Sequence, residues 1–286
     1  MNIGVVILHY KTYKDTIKCT ESFIENFADV NYKIVIVDNF SNDGSLEILS
    51  SYFQNDDNVS IISSEYNMGF AKGNNLGNYF LKKMSVDFDF VICCNNDTYI
   101  DDSDFSKRII NSYKKYNWDV MGPDIIRVSD GVHQNPLATP NWNNYSINQK
   151  IIEFSIKIVL LKMAPFILKY KNTKKTTFFE KEHKCESKEN ACLHGAVLIF
   201  SKNYLKNFDD LFYDKTFLYL EEDILYFRCK RNNLKMTYDG SIKIFHNHSS
   251  STKEVYKDEA RRKIFFLKNQ IASFKILKDY LKNTNR

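Results

Sequence analysis

Two amides and a carboxylate directly follow an apolar run in the stretch FDFVICCNNDTYIDD, residues 88–102. Asn95, Asn96 and Asp97 supply oxygen ligands, which a hard divalent cation requires. Such a cation can in turn neutralise a phosphate. The same cluster is also typical of an ordinary turn, because Asn and Asp adopt turn conformations readily. The residues alone leave both interpretations open: a turn, or a cation and phosphate site at the end of a strand.

A second acidic position ends another apolar run. Asp38 closes KIVIVD, and Asn42, Asp43 and Gly44 form a turn sequence before a helical pattern. A carboxylate at a strand end can accept hydrogen bonds from a nucleobase N–H or a ribose hydroxyl. The alternative is a helix-capping turn, which suits Asp43 better than Asp38.

Three glycines recur at intervals of four in NMGFAKGNNLG, at Gly69, Gly73 and Gly77. A glycine inside a helix costs roughly 1 kcal/mol, and the whole chain has only 9 glycines. This stripe therefore predicts a close approach of the helix backbone to a ligand or to a neighbouring strand.

An acidic cluster and two histidines lie in the C-terminal half. Glu221, Glu222 and Asp223 are adjacent, so mutual repulsion and partial burial would raise a pKa and suit a general base. The alternative is an acidic first helical turn, favoured by the helix dipole. His246 and His248 lie at the end of a predicted strand and have the right chemistry for a metal or phosphate site, although a pair of histidines of this kind is more often structural.

The 6 cysteines form no regular disulfide or CxxC framework. His183, Cys185, Cys192 and His194 include zinc-ligand types, but their spacing matches no standard zinc module. No signal-peptide pattern precedes the first predicted strand, so we expect reduced thiols and a cytoplasmic protein.

The net charge of +5 is concentrated at the C-terminal end. Residues 253–286 contain ten Lys or Arg and four Asp or Glu, a local +6, which leaves 30 basic and 31 acidic residues elsewhere. The nearly neutral remainder argues against nucleic-acid binding. The basic segment also has helical periodicity, which predicts either packing on the globule, a dimer contact or attraction to an anionic membrane.

Residues 149–170 form a long apolar stretch interrupted by Glu153, Lys157, Lys162 and Pro165. Those charges and the proline argue against a membrane-spanning helix. We expect an amphipathic helix that packs on the protein core or lies on a membrane surface.

Apolar runs and helical patterns alternate through the first 120 residues. Strands are predicted at 3–10, 33–39, 59–64 and 88–94, with helices between them. This order predicts right-handed βαβ crossovers and a parallel sheet, with ligands beyond the carboxyl ends of its strands. The alternation breaks near residue 120, where a turn-rich region begins, and further strands are predicted at 190–202 and 241–248.

The ordered set of motifs resembles a known family. Tyr10 is followed by VDNFSNDGS, NMGFAKGNNLG, NND, HGA, FLYLEEDILYFR and IKIFH, an order that resembles the family 2 inverting glycosyltransferases of the GT-A fold, especially their bacterial rhamnosyltransferase-like branch. The resemblance extends over roughly residues 1–250 and rests on the order of the motifs. It implies an α/β fold with a Rossmann-like, mostly parallel central sheet flanked by helices. We expect a GT-A domain over 1–250, divided into a nucleotide-binding half (1–120) and an acceptor-binding half (121–250), and a basic helical segment over 251–286.

The resemblance also implies a role for each motif. It places the nucleotide sugar at Leu8, His9, Tyr10, Asp38, Asn39, Asn67, Gly69, Lys72, Asn75, Asn95 and Asn96. It places the donor sugar and acceptor at His194, Gly195 and Ala196, and a divalent Mg²⁺ or Mn²⁺ at Asp97 and His246. Glu222 stands at the catalytic base, with Asp223 or Glu221 as alternatives if the helix begins one residue later. Asn95 replaces the first Asp of the family's DxD motif, and Glu222 replaces an Asp.

The expected activity is transfer of a sugar from dTDP-rhamnose or a UDP-hexose to a glycan or lipid-linked glycan in bacterial capsule or cell-surface polysaccharide synthesis. A non-catalytic scaffold that binds nucleotide sugars on the same fold is the alternative. A nucleotidyltransferase is disfavoured because LHYKTYKD lacks a glycine-rich, basic phosphate loop. Expected partners are the donor and the acceptor, and we also consider a peripheral contact with the inner face of the plasma membrane and a homodimer.

Overall fold

The computed structural model describes residues 1–163, 186–247 and 258–283, which form a mixed sheet with helices against both faces. The strands are β1 (Asn2–His9), β2 (Asn31–Asp38), β3 (Val59–Ser63), β4 (Phe90–Asn95), β5 (Thr98–Tyr99), β6 (Val120–Arg127), β7 (Lys188–Glu189), β8 (Val197–Ser201) and β9 (Met236–His246). The helices are α1 (Tyr13–Asn26), α2 (Ser45–Tyr52), α3 (Gly69–Lys83), α4 (Phe105–Tyr116), α5 (Asn144–Met163), α6 (Lys202–Asn207), α7 (Glu221–Arg231) and α8 (Glu259–Asn283).

The sheet has the strand order β3-β2-β1-β4-β8-β6-β9-β5, with β7 paired to β9. Strands β3, β2, β1 and β4 are parallel, which confirms the predicted βαβ half. Strand β8 runs antiparallel to both β4 and β6, while β6 and β9 are parallel to each other. The sheet is therefore continuous across residue 120, and the proposed division at that point remains a prediction about function.

Both faces of the central strands are buried, which explains why they read as unbroken apolar runs. On β1, Ile3, Val5 and Ile7 pack in one cluster with side chains of α1, α2 and α4. Val6 points to the other face and packs in a second cluster with side chains of α3, α6 and α7. Helices on both faces leave the carboxyl edge of the parallel strands as the open end of the sheet.

The glycine stripe packs α3 on the sheet. A Cβ at Gly73 would lie 2.5 Å from Leu8 Cδ1, and one at Gly77 would lie 2.4 Å from Val6 Cγ1. At Gly69, where φ is +76°, an added Cβ would lie 2.2 Å from a backbone oxygen of Phe217. The glycines thus allow α3 to approach neighbouring strands and a loop closely, which is one of the two expected reasons for the stripe.

The region after residue 120 differs from the prediction of a turn-rich segment. Val120–Arg127 is a strand although it contains Gly122 and Pro123. Pro123 cannot donate a ladder hydrogen bond, and the register with β9 shifts immediately after it, between Pro123 and Asp124. The irregularity accommodates the proline, so the sequence signal for a turn was wrong here. The pattern also gave no prediction for α4.

The C-terminal helix α8 packs against α5. Phe274 and Leu277 of α8 join Ile147 of α5 and Leu220 and Ile224 around α7 in a third apolar cluster. Packing of both amphipathic segments on the globule is thereby confirmed for their described residues. The predicted parts at 164–170, 251–257 and 284–286 lie outside the described residues, as do His183, Cys185 and His248. Among the helices that the structure describes, none combines the length and apolarity needed to cross a membrane.

Candidate active site

The carboxyl ends of three strands meet at one edge, as the alternation predicted. His9 at the end of β1 is in register with Asp38 at the end of β2, and Leu8 is in register with Asn95 of β4. The chain then turns at Asn96 and Asp97 into the short strand β5. This edge brings the first predicted donor motif into contact with the NND motif.

The two ionisable groups at the ends of β1 and β2 are almost fully buried. His9 is inaccessible to solvent, and its ring nitrogens lie 2.7 Å from Thr16 Oγ1 and 2.9 Å from Ser45 Oγ. Burial lowers the pKa of His9, with Asp38 opposing that effect. The carboxylate of Asp38 accepts a 3.1 Å hydrogen bond from the Ser41 amide. His9 thus joins the end of β1 to α1 and α2 through its two hydrogen bonds. The neighbouring Tyr10 is partly exposed.

Asn39 holds the loop that leads into α3. Its amide nitrogen donates to Asn67 Oδ1 at 3.2 Å and to the Gly69 carbonyl at 3.1 Å, and its oxygen accepts from the Met68 amide at 2.8 Å. Asn67 Oδ1 also accepts from the Gly69 amide at 3.0 Å. These predicted donor residues therefore shape the backbone around the edge through hydrogen bonds within the protein.

Asn75 lies on α3 and binds a distant segment of the chain. Its side chain donates to the Phe212 carbonyl at 2.8 Å and accepts from the Phe212 amide at 3.0 Å. Only 2% of Asn75 is exposed, so this side chain clamps α3 to the loop before α7. Lys72, three residues earlier, is half-buried.

The NND motif is a turn in geometry. The Asn95 carbonyl accepts from Thr98 Oγ1 at 2.8 Å, and Asn96 Nδ2 donates to Thr12 Oγ1 at 2.8 Å and Thr16 Oγ1 at 2.9 Å. The turn interpretation and the ligand interpretation do not exclude each other here, because the turn fixes the direction in which Asp97 points.

Asp97 faces His246, which comes from the far end of the chain. His246 Nε2 lies 3.2 Å from Asp97 Oδ1, and both residues are almost fully buried. The other ring nitrogen, Nδ1, lies 2.7 Å from Gln134 Oε1. With that oxygen as acceptor, Nδ1 carries the proton, and Nε2 directs either a second proton or a lone pair at the carboxylate. The sequence offered no signal for Gln134.

This pair fits a divalent cation as a partial ligand set. A histidine whose Nδ1–H is held by a second group, with Nε2 next to a carboxylate, has the donor arrangement that metal sites use. Cations that bind phosphates commonly take one or two carboxylates and complete their coordination with phosphate oxygens and water. Within the described residues no group of three or more His, Cys, Asp or Glu side chains is placed to hold a metal. Asp97 and His246 would be two ligands of such a cation.

Residues 194–196 connect this pair to the acidic cluster. The Ala196 carbonyl accepts from the Asn95 amide at 2.8 Å, and the His194 ring centroid lies 6.0 Å from that of His246. The Gly195 amide donates to Glu222 Oε1 at 3.1 Å. A Cβ at Gly195 would lie 2.7 Å from the same oxygen, so a larger residue here would force the Glu222 carboxylate to move.

The His194 backbone is fixed by a residue that the sequence analysis did not select. Its amide donates to Asn135 Oδ1 at 2.7 Å, and Asn135 Nδ2 in turn donates to the Pro123 carbonyl at 2.8 Å. His194 Nδ1 accepts from the Ala196 amide at 3.1 Å, which places the proton of a neutral ring on Nε2. An Asn before a proline in a turn-rich segment gives no functional signal in one sequence, so Asn135 was missed.

The three carboxylates at the start of α7 occupy different environments. Glu221 is buried, its Oε1 has no hydrogen-bond partner among the described residues, and burial followed by the neighbouring Glu222 raises its pKa to about 8. Burial, followed by repulsion from Asp223, also raises the pKa of Glu222, which keeps partial exposure. Asp223 has its pKa raised by burial and accepts a 2.5 Å hydrogen bond from Trp142 Nε1.

Of the four possible zinc ligands, Cys192 and His194 lie in the described part of the chain, and their neighbours there are not zinc ligands of this set. Cys192 Sγ lies 3.8 Å from the Glu222 carbonyl, and burial raises the pKa of its thiol strongly. The site thus consists of an edge that holds the nucleotide motifs, the Asp97–His246 pair and the carboxylate of Glu222, all joined by residues 194–196.

Similar folds occur among solved structures. Two structures of S. aureus TarS 1–349 match with 16% identity: one has a TM-score of 0.54 over 96% of this chain, and the other, in complex with UDP, has a TM-score of 0.55 over 93%. A structure of S. aureus TarS matches with a TM-score of 0.54 and 16% identity over 90% of this chain and 38% of that chain. This chain spans 65% of the length of each TarS 1–349 structure. At this identity the likeness shows the fold, and it confirms the expected α/β architecture.

Sequence comparison gives the family. None of the curated proteins matches the chain. The family model described as glycosyl transferase family 2 matches residues 4–179, more than half of the chain and the region that holds β1, β2, α3 and the NND turn. The chain belongs to glycosyl transferase family 2.

Proposed function

We propose that this protein is an inverting glycosyltransferase that moves a sugar from a nucleoside-diphosphate sugar to a hydroxyl group. The observation that carries the proposal is the junction at residues 194–196. These three residues contact both Glu222, a carboxylate with a raised pKa, and the ring of His246 in the histidine–carboxylate pair, which supports a base and a cation site that serve one reaction. A transferase needs a general base and a stabiliser of the leaving diphosphate on opposite sides of one anomeric carbon.

On the donor side, Tyr10 and Asp38 would contact the nucleoside, with Leu8 beneath them. His9, Asn39, Asn67, Gly69, Asn75 and Asn96 would shape this surface through their internal hydrogen bonds. The TarS structure with bound UDP supports a nucleoside diphosphate as the ligand. The resemblance to the rhamnosyltransferase-like branch favours dTDP-rhamnose, with a UDP-hexose as the second candidate.

Glu222 is the proposed base. A hydroxyl is a poor nucleophile, and a carboxylate must remove its proton as the oxygen attacks the anomeric carbon. The new C–O bond forms as the bond from that carbon to the diphosphate oxygen breaks, and the diphosphate leaves with the electron pair. One displacement of this kind inverts the configuration, through an oxocarbenium-like state.

The acidic neighbours suit this assignment. Glu221, with its pKa near 8, stays largely protonated at neutral pH, so it adds little repulsion to an ionised Glu222. The Gly195 amide donates to Glu222 and favours its charged form, while burial keeps it basic. Asp223 is occupied by the Trp142 indole, which leaves Glu222 as the carboxylate nearest to residues 194–196.

A divalent cation, Mg²⁺ or Mn²⁺, would bind at Asp97 and His246, and it would supply positive charge to the leaving diphosphate. Gln134 holds the His246 ring so that Nε2 is directed at that position. Asn95, at the position of the first Asp of the DxD motif, adds no charge there. His194 would contact the sugar or the acceptor, as the resemblance implies.

We further propose that the acceptor is a glycan or a lipid-linked glycan, used in the synthesis of a bacterial surface polysaccharide. The alternative is a scaffold that binds nucleotide sugars without turnover. The carboxylates at Asp38, Asp97 and Glu222 favour an enzyme, since a scaffold has no need of a base with a raised pKa.

Thermal unfolding with a panel of nucleotides tests the donor site. UDP, dTDP, GDP and CMP would each be tested with Mn²⁺, Mg²⁺ or EDTA, and a ligand at 100 times its Kd adds roughly 2.7 kcal/mol of stability. We expect stabilisation by one nucleotide class that requires metal and is lost in Asp97→Ala. Asp101→Ala, an exposed carboxylate four residues away, is the matched control and should behave as the unmodified protein. Absence of stabilisation by all four nucleotides would overturn the donor-site proposal.

A further inference from the structure

Helix α5 is apolar on two opposite faces. Its inner face, with Ile147, Ile151, Phe154 and Leu161, is buried or half-buried and lies partly against α8. A surface helix of a globular protein normally carries one apolar stripe, and a helix that is apolar all round is expected to be covered on all sides. The outer face of α5 therefore needs an explanation.

The outer face exposes large apolar side chains near its start and along its second half, among the residues that the structure describes. Six large apolar side chains project from it, each between 54% and 76% exposed: Tyr145, Ile152, Ile156, Val159, Leu160 and Met163. The helix spans 20 residues, or roughly 30 Å at 1.5 Å per residue. Five of these side chains, from Ile152 to Met163, follow one another at helical spacing over roughly 17 Å, and Tyr145 lies two turns earlier, beyond the exposed Gln149. An exposed apolar row of this kind marks an interaction surface. We call it the outer row.

Basic residues flank the outer row. Lys157 lies on one side of it and Lys162 on the other, as their positions on the helical wheel require. Helices α5 and α8 together contain ten Lys or Arg and three Asp or Glu, a charge of +7, whereas the whole chain carries +5. The remainder of the chain is thus −2, with 30 basic and 32 acidic residues. Helix α8 accounts for +5 of this charge, and α5, which carries the outer row, accounts for +2.

We propose that the outer row of α5 docks the protein on an anionic lipid bilayer, with the apolar side chains in the headgroup boundary and the lysines at the phosphates. An apolar stripe between basic flanks is the pattern of helices that lie in a membrane surface. A second copy of this chain fits less well, because pairing two outer rows would bring two units of +7 together. A nucleic acid would engage the lysines but would leave the apolar row exposed to water.

Of the two segments for which the sequence suggested a membrane contact, 149–170 and 253–286, the proposal places the apolar contact on the first. The sequence pointed mainly to the basic segment 253–286, but the apolar side chains Phe274 and Leu277 of α8 are buried against the globule. Helix α8 can contribute charge to the docking surface, and its apolar face is already covered. The exposed apolar surface is on α5.

The N-terminal end of α5 lies close to the acidic cluster. Trp142, two residues before α5, donates to Asp223 beside Glu222 and packs against Phe274 of α8 with ring centroids 5.0 Å apart. Trp142 and Phe274 belong to the cluster on the inner side of α5, so a bilayer on the outer row would lie about one helix diameter, ~10 Å, from the contact that reaches Asp223. This placement rests on the proposed function only in what it says of the acceptor, and favours a lipid-linked one.

Vesicle co-sedimentation tests the docking surface with the full chain. The vesicles are phosphatidylcholine alone or phosphatidylcholine with phosphatidylglycerol, each at low and high salt. The test variant is Ile156→Gln with Leu160→Gln, and the matched control is Ile48→Gln with Val132→Gln, two exposed apolar residues elsewhere. We expect binding to the anionic vesicles that weakens with salt and falls by at least about tenfold in the test variant, with the control unchanged.

Three results would overturn the inference. They are no binding of the unmodified protein to anionic vesicles at low salt, binding that the test variant retains in full, and light scattering that shows a dimer which the test variant converts to a monomer. Nucleotide stabilisation of the same samples separates the two proposals. Vesicle binding without nucleotide stabilisation would contradict the proposed transferase and support the docking surface. Nucleotide stabilisation without vesicle binding would support the transferase and contradict the docking surface.

Discussion

The donor edge and the acidic cluster at the start of α7 are both built from polar residues, but they differ in how those residues are satisfied. At the donor edge, His9, Asn39 and Asn75 have their polar atoms occupied by partners within the protein. At α7, Glu221 and Glu222 are adjacent, their pKa values are raised, and one carboxylate oxygen has no partner among the described residues.

On the proposed function, the difference separates residues that build a site from residues proposed to do its chemistry. A side chain whose hydrogen bonds are all made internally fixes the backbone, and its loss destabilises the fold. A buried carboxyl group with a raised pKa costs folding free energy, and such groups concentrate at catalytic positions. The position of a residue at the carboxyl edge of the sheet does not tell these two kinds of residue apart. Their hydrogen bonds and burial do.

The largest effect that would break this comparison concerns Glu221. A carboxyl whose folded pKa is raised destabilises the fold as pH rises from its unfolded pKa, 4.5, to its folded pKa, about 8, and the cost is constant above that. Glu221→Gln should therefore gain stability over the unmodified protein progressively between pH 5 and 8, by about 3 kcal/mol. Urea unfolding at a series of pH values measures this, with Glu47→Gln on the exposed surface as control. A gain that does not change with pH would contradict the burial of an unfavourable charge.

The next effect concerns the space beside Glu222. Gly195→Ala would push the carboxylate away, because the added Cβ would lie 2.7 Å from Oε1. We expect turnover to fall by roughly a hundredfold with nucleotide affinity unchanged, since a displacement of about 1 Å has that effect on a catalytic group. Steady-state kinetics with the donor identified by thermal stabilisation measures it. Gly131→Ala is the control for a general loss of stability, because nothing lies within 4 Å of its added Cβ while its φ of +69° strains the alanine in an exposed turn. Equal turnover in both variants would show that Glu222 need not be fixed there.

A smaller effect sharpens the contrast at the donor edge. Asn75→Ala leaves both backbone groups of Phe212 without their partner, so the free energy of unfolding should fall by about 2 kcal/mol. Nucleotide affinity of the folded protein should stay the same. Lys72→Ala, three residues earlier on α3, should show the reverse: little change in stability and weaker nucleotide binding. If Asn75→Ala weakened nucleotide binding without loss of stability, its side chain would belong to the ligand surface.

The smallest effect tests the link between the acidic cluster and the C-terminal helix. Trp142→Phe removes the donor to Asp223 while keeping most of the contact with Phe274, so stability should fall by about 1 kcal/mol. The pKa of Asp223 should rise further, so Asp223 loses its charge at a higher pH and repels Glu222 less, which would lower the pKa of Glu222 and move the acid limb of the turnover–pH profile downward. Trp118→Phe also loses one indole hydrogen bond, to Ser112, and should leave that profile unchanged. A profile that moves equally in both variants would indicate a general loss of stability.

The sequence predicted the parallel half of the fold well, because strands buried on both faces give continuous apolar runs with glycine and amide signals at their ends. It failed at β6, where Pro123 sits in a strand because an irregular register with β9 tolerates it. The pairing of distant residues was beyond its reach. Gln134 behind His246 and Trp142 on Asp223 are contacts across more than eighty positions, and one sequence contains no local pattern for them.

The assignment of chemistry shows the same limit. Asp97, His246 and Glu222 were selected by motif order and lie where residues 194–196 connect them. His9, Asn39 and Asn75 were selected by the same reasoning, and only their burial and hydrogen bonds show that they support the backbone. A sequence shows which residues at an edge are polar. Whether their hydrogen bonds are made within the protein depends on the whole fold.

The most direct test of the account is turnover of the donor by Glu222→Gln. The amide keeps the size of the side chain and cannot accept the proton, so the account predicts a fall in nucleoside-diphosphate release of about 10²- to 10⁴-fold. Metal-dependent stabilisation by the nucleotide should be retained, which shows an intact donor edge. Release near the unmodified rate would contradict the assignment of Glu222 as the base and, with it, the distinction drawn between the two regions.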